Sequence, residues 1–402
     1  MNEQAKTEQP APSDGPGEPP VARNAVANLS AYLPTVTLTI ASIVLALLVG
    51  AVLIIVSNDD ALSKFSYFFS APLDGIKAGL NAVGDAYWAL LKGSVGSGAA
   101  LSGTLEKAAP LICGGLGVSL AFRAGLFNIG AQGQLIAGAT AAAYVGFTWN
   151  LPVVVHLLVA LIAALVAGGV WGGIVGLLKA QTGAHEVILT IMLNYVAVQI
   201  LRWLLGLNAF QAPGSDNPTS PVVDSDARFP QLFGVHLGFY VAVLAAVGVW
   251  WLLSRTTLGF EMRAVGANPD AARTAGMSVA KAYVLAMVIA GLLAGLAGAQ
   301  QIVGHQDPLT DGIAGSIGFD SITVALLGRA TPSGTVLAAL LFGALQSGGI
   351  QMQAATGTPL SLSTVLQALI VLFIAAPALV RAIVRIRSQD GGGTVLAKGW
   401  NA

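Results

Sequence analysis

Three neutral amides, Asn128, Gln132 and Gln134, stand among glycines in the stretch LFNIGAQGQL, Leu126 to Leu135. No Asp, Glu, Lys or Arg occurs between Arg123 and Lys179. An amide offers a donor and an acceptor without carrying charge. Such a cluster suits hydrogen bonding to a neutral solute, or pairing of backbone groups freed where a helix breaks inside a bilayer. A second polar interruption is GSIGFDSITVALLGRATPSG, Gly315 to Gly334, where Asp320 falls near the start of a short apolar run and Arg329 to Pro332 turn the chain back. A carboxylate there is favoured by the positive end of a helix dipole. Nothing in the chain points to bond-making chemistry or to a cofactor. The four histidines (His156, His185, His236, His305) are too scattered for a metal motif, and Cys113 is alone, so no internal disulfide can form.

The elements that carry these residues are set by composition. Of 402 residues 55% are hydrophobic and 9% charged, and the mean hydropathy is +0.75, which places the chain in a lipid bilayer. Net charge is zero, and there is no basic stripe with interleaved aromatics for nucleic acid to bind. Residues 1–30, with Pro10, Pro12, Pro16, Pro19 and Pro20, read as a disordered tail. Residues 31–386 read as the membrane domain and 387–402 as a C-terminal tail.

The first apolar run, Val36 to Val56, is long enough to cross a ~30 Å hydrocarbon core and lacks a signal-peptidase exit, so it reads as a retained anchor. Further runs are Ala108–Phe122, Gln134–Phe147, Val153–Leu178, Val187–Leu205, Val235–Leu253, Ala282–Val303, Ile317–Leu327, Val336–Leu345 and Leu362–Val380. That makes an all-α polytopic fold of about ten segments. Ile317–Leu327 is too short to cross alone and reads as a half-helix buried in protein. The glycine pairs Gly168/Gly172, Gly169/Gly173 and Gly291/Gly295 let helix backbones approach closely. Arg123, Lys179, Arg255, Arg263, Arg273, Lys281, Arg329, Arg381, Arg385 and Arg387 fall on one face if both termini are cytoplasmic. Arg202 is the exception, and snorkelling to the far interface explains it.

Two glycine-broken segments in the two halves of a membrane protein point to a solute path at the repeat interface. No carboxylate relay for proton coupling stands out: Glu186, in a first helical turn, reads as dipole-complementing. No phosphate-binding loop of the G-x-x-x-x-G-K-[ST] type occurs, so the energy must come from a partner. RTTLGFEMRAVGANPDAARTAGMSVAK, Arg255 to Lys281, offers that partner a surface. Within it Asn268 caps a short helix, Pro269 takes its first position, Asp270 sits in the first turn and Gly276 ends it. A plain interfacial loop is the alternative, and an ion-coupled secondary transporter is the rival class.

The stretches FRAGLFNIGAQGQL, EVILTIMLNYVAV, LGFEMRAVGANPDAARTAGM and GFDSITVALLGRATPSGTVLAALLFGAL, in that order, resemble the permease subunits of bacterial ABC importers. Among these the chain is most similar to the nucleoside-type branch, related to sugar and branched-chain amino acid permeases. The resemblance covers about residues 100–376. It implies a type II importer-like fold with broken helices in the bacterial plasma membrane. The two polar breaks, read with it, set Phe127, Asn128, Gln132, Gln134, Asn194 and Asp320 along the expected substrate pathway. The resemblance places Arg263, Asn268, Pro269, Asp270, Ala271, Arg273 and Gly276 in the element that docks on an ATP-binding subunit. The other partners implied are a second related permease, forming a heterodimer, and a substrate-binding lipoprotein outside. The Pro-rich loop Gly206–Gly234 is expected to meet that lipoprotein. Lys64–Lys92, with Phe65, Tyr67, Phe68, Phe69, Tyr87 and Trp88, resembles an aromatic belt on the outer membrane surface. Rival substrates are ribose-like sugars, riboflavin-like heterocycles and branched-chain amino acids.

Overall fold

The computed structural model describes residues 20–65, 69, 71–215, 217–304 and 308–384. Tyr67, Phe68, His305, Arg385, Arg387 and the tail 387–402 of the sequence reading lie outside them, as does the N-terminal tail up to residue 19. The helices are α1 (Pro20–Ser57), α2 (Asp59–Phe65), α3 (Pro72–Val95), α4 (Gly98–Arg123), α5 (Ala131–Thr148), α6 (Val153–Thr182), α7 (Glu186–Leu205), α8 (Leu237–Arg255), α9 (Thr257–Ala267), α10 (Pro269–Thr274), α11 (Val279–Ala299), α12 (Ile317–Leu327), α13 (Pro332–Thr356), α14 (Leu360–Ala375) and α15 (Pro377–Val384). The only strands among the described residues are β1 (Gln231–Leu232) and β2 (Val235–His236), a small antiparallel hairpin.

Among the described residues seven helices are long and apolar enough to cross a membrane, and eight spans result if the bent pair α14–α15 counts as one. The ten segments read from sequence are reached by adding α5 and α12. Several boundaries move. Helix α1 is already helical from Pro20, inside the stretch read as a tail. Helix α4 starts ten residues before Ala108, taking in Glu106 and Lys107, and continues through the internal Pro110. The last run is not one straight helix: Pro377 opens α15 and the axis bends by 90°, because proline disfavours helical backbone in the residue before it and suits the first position of a new helix.

The chain separates into two compact units, one of Leu48–Val371 and one joining α1 up to Leu47 with the chain from Leu372 onward. In the smaller unit Ser42 Oγ donates to Leu38 O (2.8 Å) and Phe373 O (3.2 Å). In the larger unit α4 is the central element, its residues buried almost continuously from Ala108 to Ala121. Around it glycine does the packing. A Cβ on Gly168 would overlap the Gly291 carbonyl, and one on Gly295 would overlap the Ala164 carbonyl. Gly138 and Gly298 bring α5 and α11 equally close. In lipid, where apolar side chains gain nothing by leaving their solvent, such backbone contact supplies the association energy. The expected glycine pairs are therefore the seam of α5, α6 and α11.

Loop 206–234 is packed down against the helices. Asp224 N donates to Gly146 O (2.9 Å), Phe229 N to Val303 O (3.1 Å) and Ser220 N to Leu309 O (3.0 Å). Its own Val223 and Ala227 are buried.

Candidate functional site

The first break is shorter than the sequence implied, running from Ala124 to Gly130, so Gln132 and Gln134 lie in the first turn of α5. Gly125 takes φ +76°, a left-handed conformation open to glycine at little cost. Asn128 Oδ1 accepts from Gly130 N (3.0 Å), closing a local turn that starts α5. The Asn128 and Gln134 side chains also pair with each other, Asn128 Nδ2 donating to Gln134 Oε1 (3.1 Å) and Gln134 Nε2 to Asn128 Oδ1 (3.3 Å). Asn194, reaching in from α7, accepts from Gly133 N (2.8 Å) and donates to Ile129 O (2.9 Å). Their relative exposures are 1% for Asn128, 0% for Gln134 and 7% for Asn194. In this conformation the alternative role, pairing freed backbone groups, describes Asn128 and Asn194, while Gln134 is taken up by the Asn128 side chain. They offer no open surface to a solute.

Gln132 differs. Its Nε2 donates to Gly315 O (2.8 Å) and its Oε1 accepts from Gly318 N (2.9 Å), so one side chain clamps the second break to the first. Gly318, in the first turn of α12, sits so close to Gln132 that a Cβ there would overlap the Gln132 backbone. The N-terminal ends of two helices, α5 and α12, thus converge, although their first residues are 186 positions apart. Both present positive dipole ends to the same place. Ser316 Oγ donates to Asp320 Oδ2 (2.7 Å), holding the carboxylate over the first turn of α12 as expected. Gly315, Ser316, Phe319 and Phe127 keep exposed surface, while Gln132, Asp320 and Thr323 are partly exposed. Exposed backbone and a carboxylate at the start of a short apolar helix cannot face hydrocarbon. Ser316 was not singled out in the sequence; it stands at the N-cap of α12 without a side-chain capping bond, its hydroxyl being given to Asp320. Beyond α12, Arg329 (φ 54°) and Ala330 (φ 49°) make the turn, and Arg123 Nε donates to Ala330 O (2.9 Å), tying the end of α4 to it.

The seven residues expected in the coupling element fall on α9, α10 and their immediate flanks. Asn268 Oδ1 accepts from Asp270 N and Ala271 N, both 3.0 Å, and so caps α10. Pro269 takes its first position, and Gly276, after it, has φ +84°. Asp270 and Arg273 form an exposed pair at 3.2 Å. Ala271 and Gly276 are exposed beside them. Arg263 stands apart on α9, with Nε donating to Gly259 O (3.3 Å). Ala272, 5% exposed, anchors the knob against Val265 and Ala282. What the sequence did not reveal is where α9 rests: a Cβ on Gly266 would overlap the Arg123 carbonyl and lie 2.8 Å from Gly125 N. The charged segment is seated directly on the first break.

Glu186 is in the first turn of α7, as read, and pairs with Lys179 at 2.8 Å. Arg202 is not merely snorkelling: its Nη2 lies 3.3 Å from Asp311 Oδ2. No group of three or more potential metal ligands occurs among the described residues.

Residues 100–375 match the family described as branched-chain amino acid transport system / permease component. The chain is 38% identical over 317 residues to the guanosine ABC transporter permease protein NupP of Bacillus subtilis, covering 77% of this chain and 90% of that one. It is 35% identical to the glucose ABC transporter permease protein TsgB13 of Haloferax volcanii (72% and 80% covered). It is 33% identical to the nucleoside ABC transporter permease protein NupB of Lactococcus lactis (72% and 82% covered). No solved structure was found to match it. An all-helical chain with two clamped breaks, a capped charged knob and these relatives is a multi-pass membrane protein of the bacterial inner membrane, a transport component rather than an enzyme, and it belongs to the branched-chain amino acid transport system permease family.

Proposed function

We propose that this chain is the membrane-spanning permease subunit of an ATP-driven importer that translocates nucleosides. The observation that carries the reading is the convergence of the α5 and α12 starts through Gln132, which leaves a polar face that lipid cannot cover. Phe127, Gln132 and Asp320 border the path, and Asn128, Gln134 and Asn194 hold the break in shape. Neutral amides, an aromatic ring and two helix N-termini suit a neutral, hydrogen-bonding, ring-bearing solute. Guanosine and nucleoside permeases stand among the relatives, and so does a glucose permease, which keeps sugars as the rival substrate.

A second related permease completes the path across the open face of α12, giving a heterodimer. The ATP-binding subunit grips α10 from the cytoplasm, with both chain termini on that side. Its movement reaches the first break through α9, because Gly266 touches Arg123 and Gly125. A substrate-binding lipoprotein docks outside on the loop 206–234. Since a ligand shifts an equilibrium only through differential affinity, each of these two partners must prefer one state of the permease.

The test is uptake of labelled guanosine by the assembled transporter in proteoliposomes, competed by uridine, adenosine, ribose, glucose and leucine. Nucleosides are expected to compete and the others not. Competition by glucose alone, or gradient-driven uptake by the isolated chain without any ATPase, rejects the reading.

A further inference from the structure

The outer loop 206–234 is tied to the second break by contacts that the proposed path does not use. Ser220 and Leu309 exchange two hydrogen bonds: Ser220 N donates to Leu309 O (3.0 Å), and Leu309 N donates to Ser220 Oγ (2.9 Å). Their relative exposures are 3% and 0%. Loop and bundle are therefore joined through polar groups held away from water, which are costly to separate unless each finds a new partner. At the same junction Arg202, near the end of α7, pairs with Asp311; exposed as it is, that ion pair adds little to the join.

From Leu309 the chain steps to the break through consecutive turns. Ile313 N donates to Thr310 O (3.2 Å), Gly315 N to Gly312 O (2.9 Å) and Ile317 N to Ala314 O (3.0 Å). Gly315 O is the acceptor that Gln132 Nε2 grips at 2.8 Å. Residues 309–315 are thus fixed at one end by Ser220 and at the other by Gln132. Leu309 and Ala314 lie in the same buried apolar cluster as Val223 and Phe229 of the loop and the core of α4, α5 and α11. A segment packed in this way shifts between discrete arrangements rather than stretching. A solvated connector would send its backbone bonds to water. This loop sends them to the end of α5, through Asp224 N and Gly146 O, and to the π-helical turn Gln300–Gly304 after α11, through Phe229 N and Val303 O.

We infer that residues 309–315 are a strap that carries docking on the outer loop to the Gln132 clamp, with Ser220 as its positioning residue. This rests on the reading that the binding protein docks on loop 206–234. A partner shifts an equilibrium only through differential affinity, and the strap supplies the difference, because the shape of the loop follows the position of the α12 start. Ser220 is too buried for the binding protein to touch. The experiment uses the whole transporter, with both permeases, ATPase and binding protein, in proteoliposomes, and follows guanosine uptake as binding protein is titrated. Ser220→Ala strips Leu309 N of its acceptor and is expected to lower the maximal response roughly three- to tenfold, the worth of one lost hydrogen bond. The half-saturating concentration of binding protein is expected to change much less than the maximum. A rise in that concentration with the maximum intact overturns the inference, since the loop is then a docking surface and nothing more; a titration equal to wild type overturns it too. Melting temperatures of Ser220→Ala, Gln132→Leu and the double variant, taken without binding protein, report on the strap alone. Independent sites add, whereas two ends of one strap do not, so the double variant is expected to lose less than the sum. Additive losses overturn the inference and leave docking standing. A wild-type transporter that does not respond to binding protein overturns the docking reading, and the inference with it.

Discussion

Gln132 is the residue on which the two breaks depend, and replacing it by leucine, of similar size, removes both of its hydrogen bonds at once. The bonds measure 2.8 Å to Gly315 O and 2.9 Å from Gly318 N. At ~0.5–1.5 kcal/mol net for each, the clamp contributes about 1–3 kcal/mol. That corresponds to roughly a 5- to 150-fold change in the ratio of clamped to released arrangements, since 1.4 kcal/mol is tenfold. Gly318 is buried, so its N–H does not regain a water partner easily. Gln132→Leu is therefore expected to lower the melting temperature of the purified complex and to cut guanosine uptake at least fivefold, with the chain still inserted and assembled. Gln132→Glu keeps the acceptor for Gly318 N and loses the donor to Gly315 O, so its effect is expected to be intermediate. The assay pairs thermal unfolding in detergent with uptake in proteoliposomes. Wild-type uptake and an unchanged melting temperature in Gln132→Leu would show that the two half-helices are held together by something else.

Two further outcomes follow from neighbouring contacts. Gly266→Ala pushes a methyl group into the backbone of Arg123 to Gly125, which cannot give way as a side chain would; overpacking of this kind costs ~1–3 kcal/mol, and the transport produced per ATP hydrolysed is expected to fall, whereas Gly248→Ala, with nothing within 4 Å, is expected to leave it unchanged. Burial holds the pKa of His236, just ahead of α8, below its ordinary value of 6.5; the unfolded chain then binds the proton more readily, so stability is complete above about pH 6.5 and declines as pH falls below it. His236→Asn is expected to flatten that acid-side decline in melting temperature, and an equal decline in the variant would assign it to other groups.

Much of the architecture is local and was legible in the residues themselves. Apolar runs of crossing length, the half-helix from Ile317, the capped turn at Asn268–Pro269–Asp270 and the glycine pairs of α6 and α11 each follow from properties of neighbouring residues: hydrophobicity, proline and glycine backbone limits, and side chains that reach their own helix ends. The α14–α15 bend was signalled by Pro377 and passed over. What no local property decides is which backbone groups meet. Asn128, Gln132 and Gln134 look alike in sequence, yet two are consumed inside the first break and one reaches Gly315 and Gly318. Asn194 finds Gly133, and Gly266 finds Arg123. Hydrogen-bond partners and steric contacts between residues far apart in the chain exist only once the helices are packed, so polarity could mark the breaks while their roles were settled by the tertiary structure.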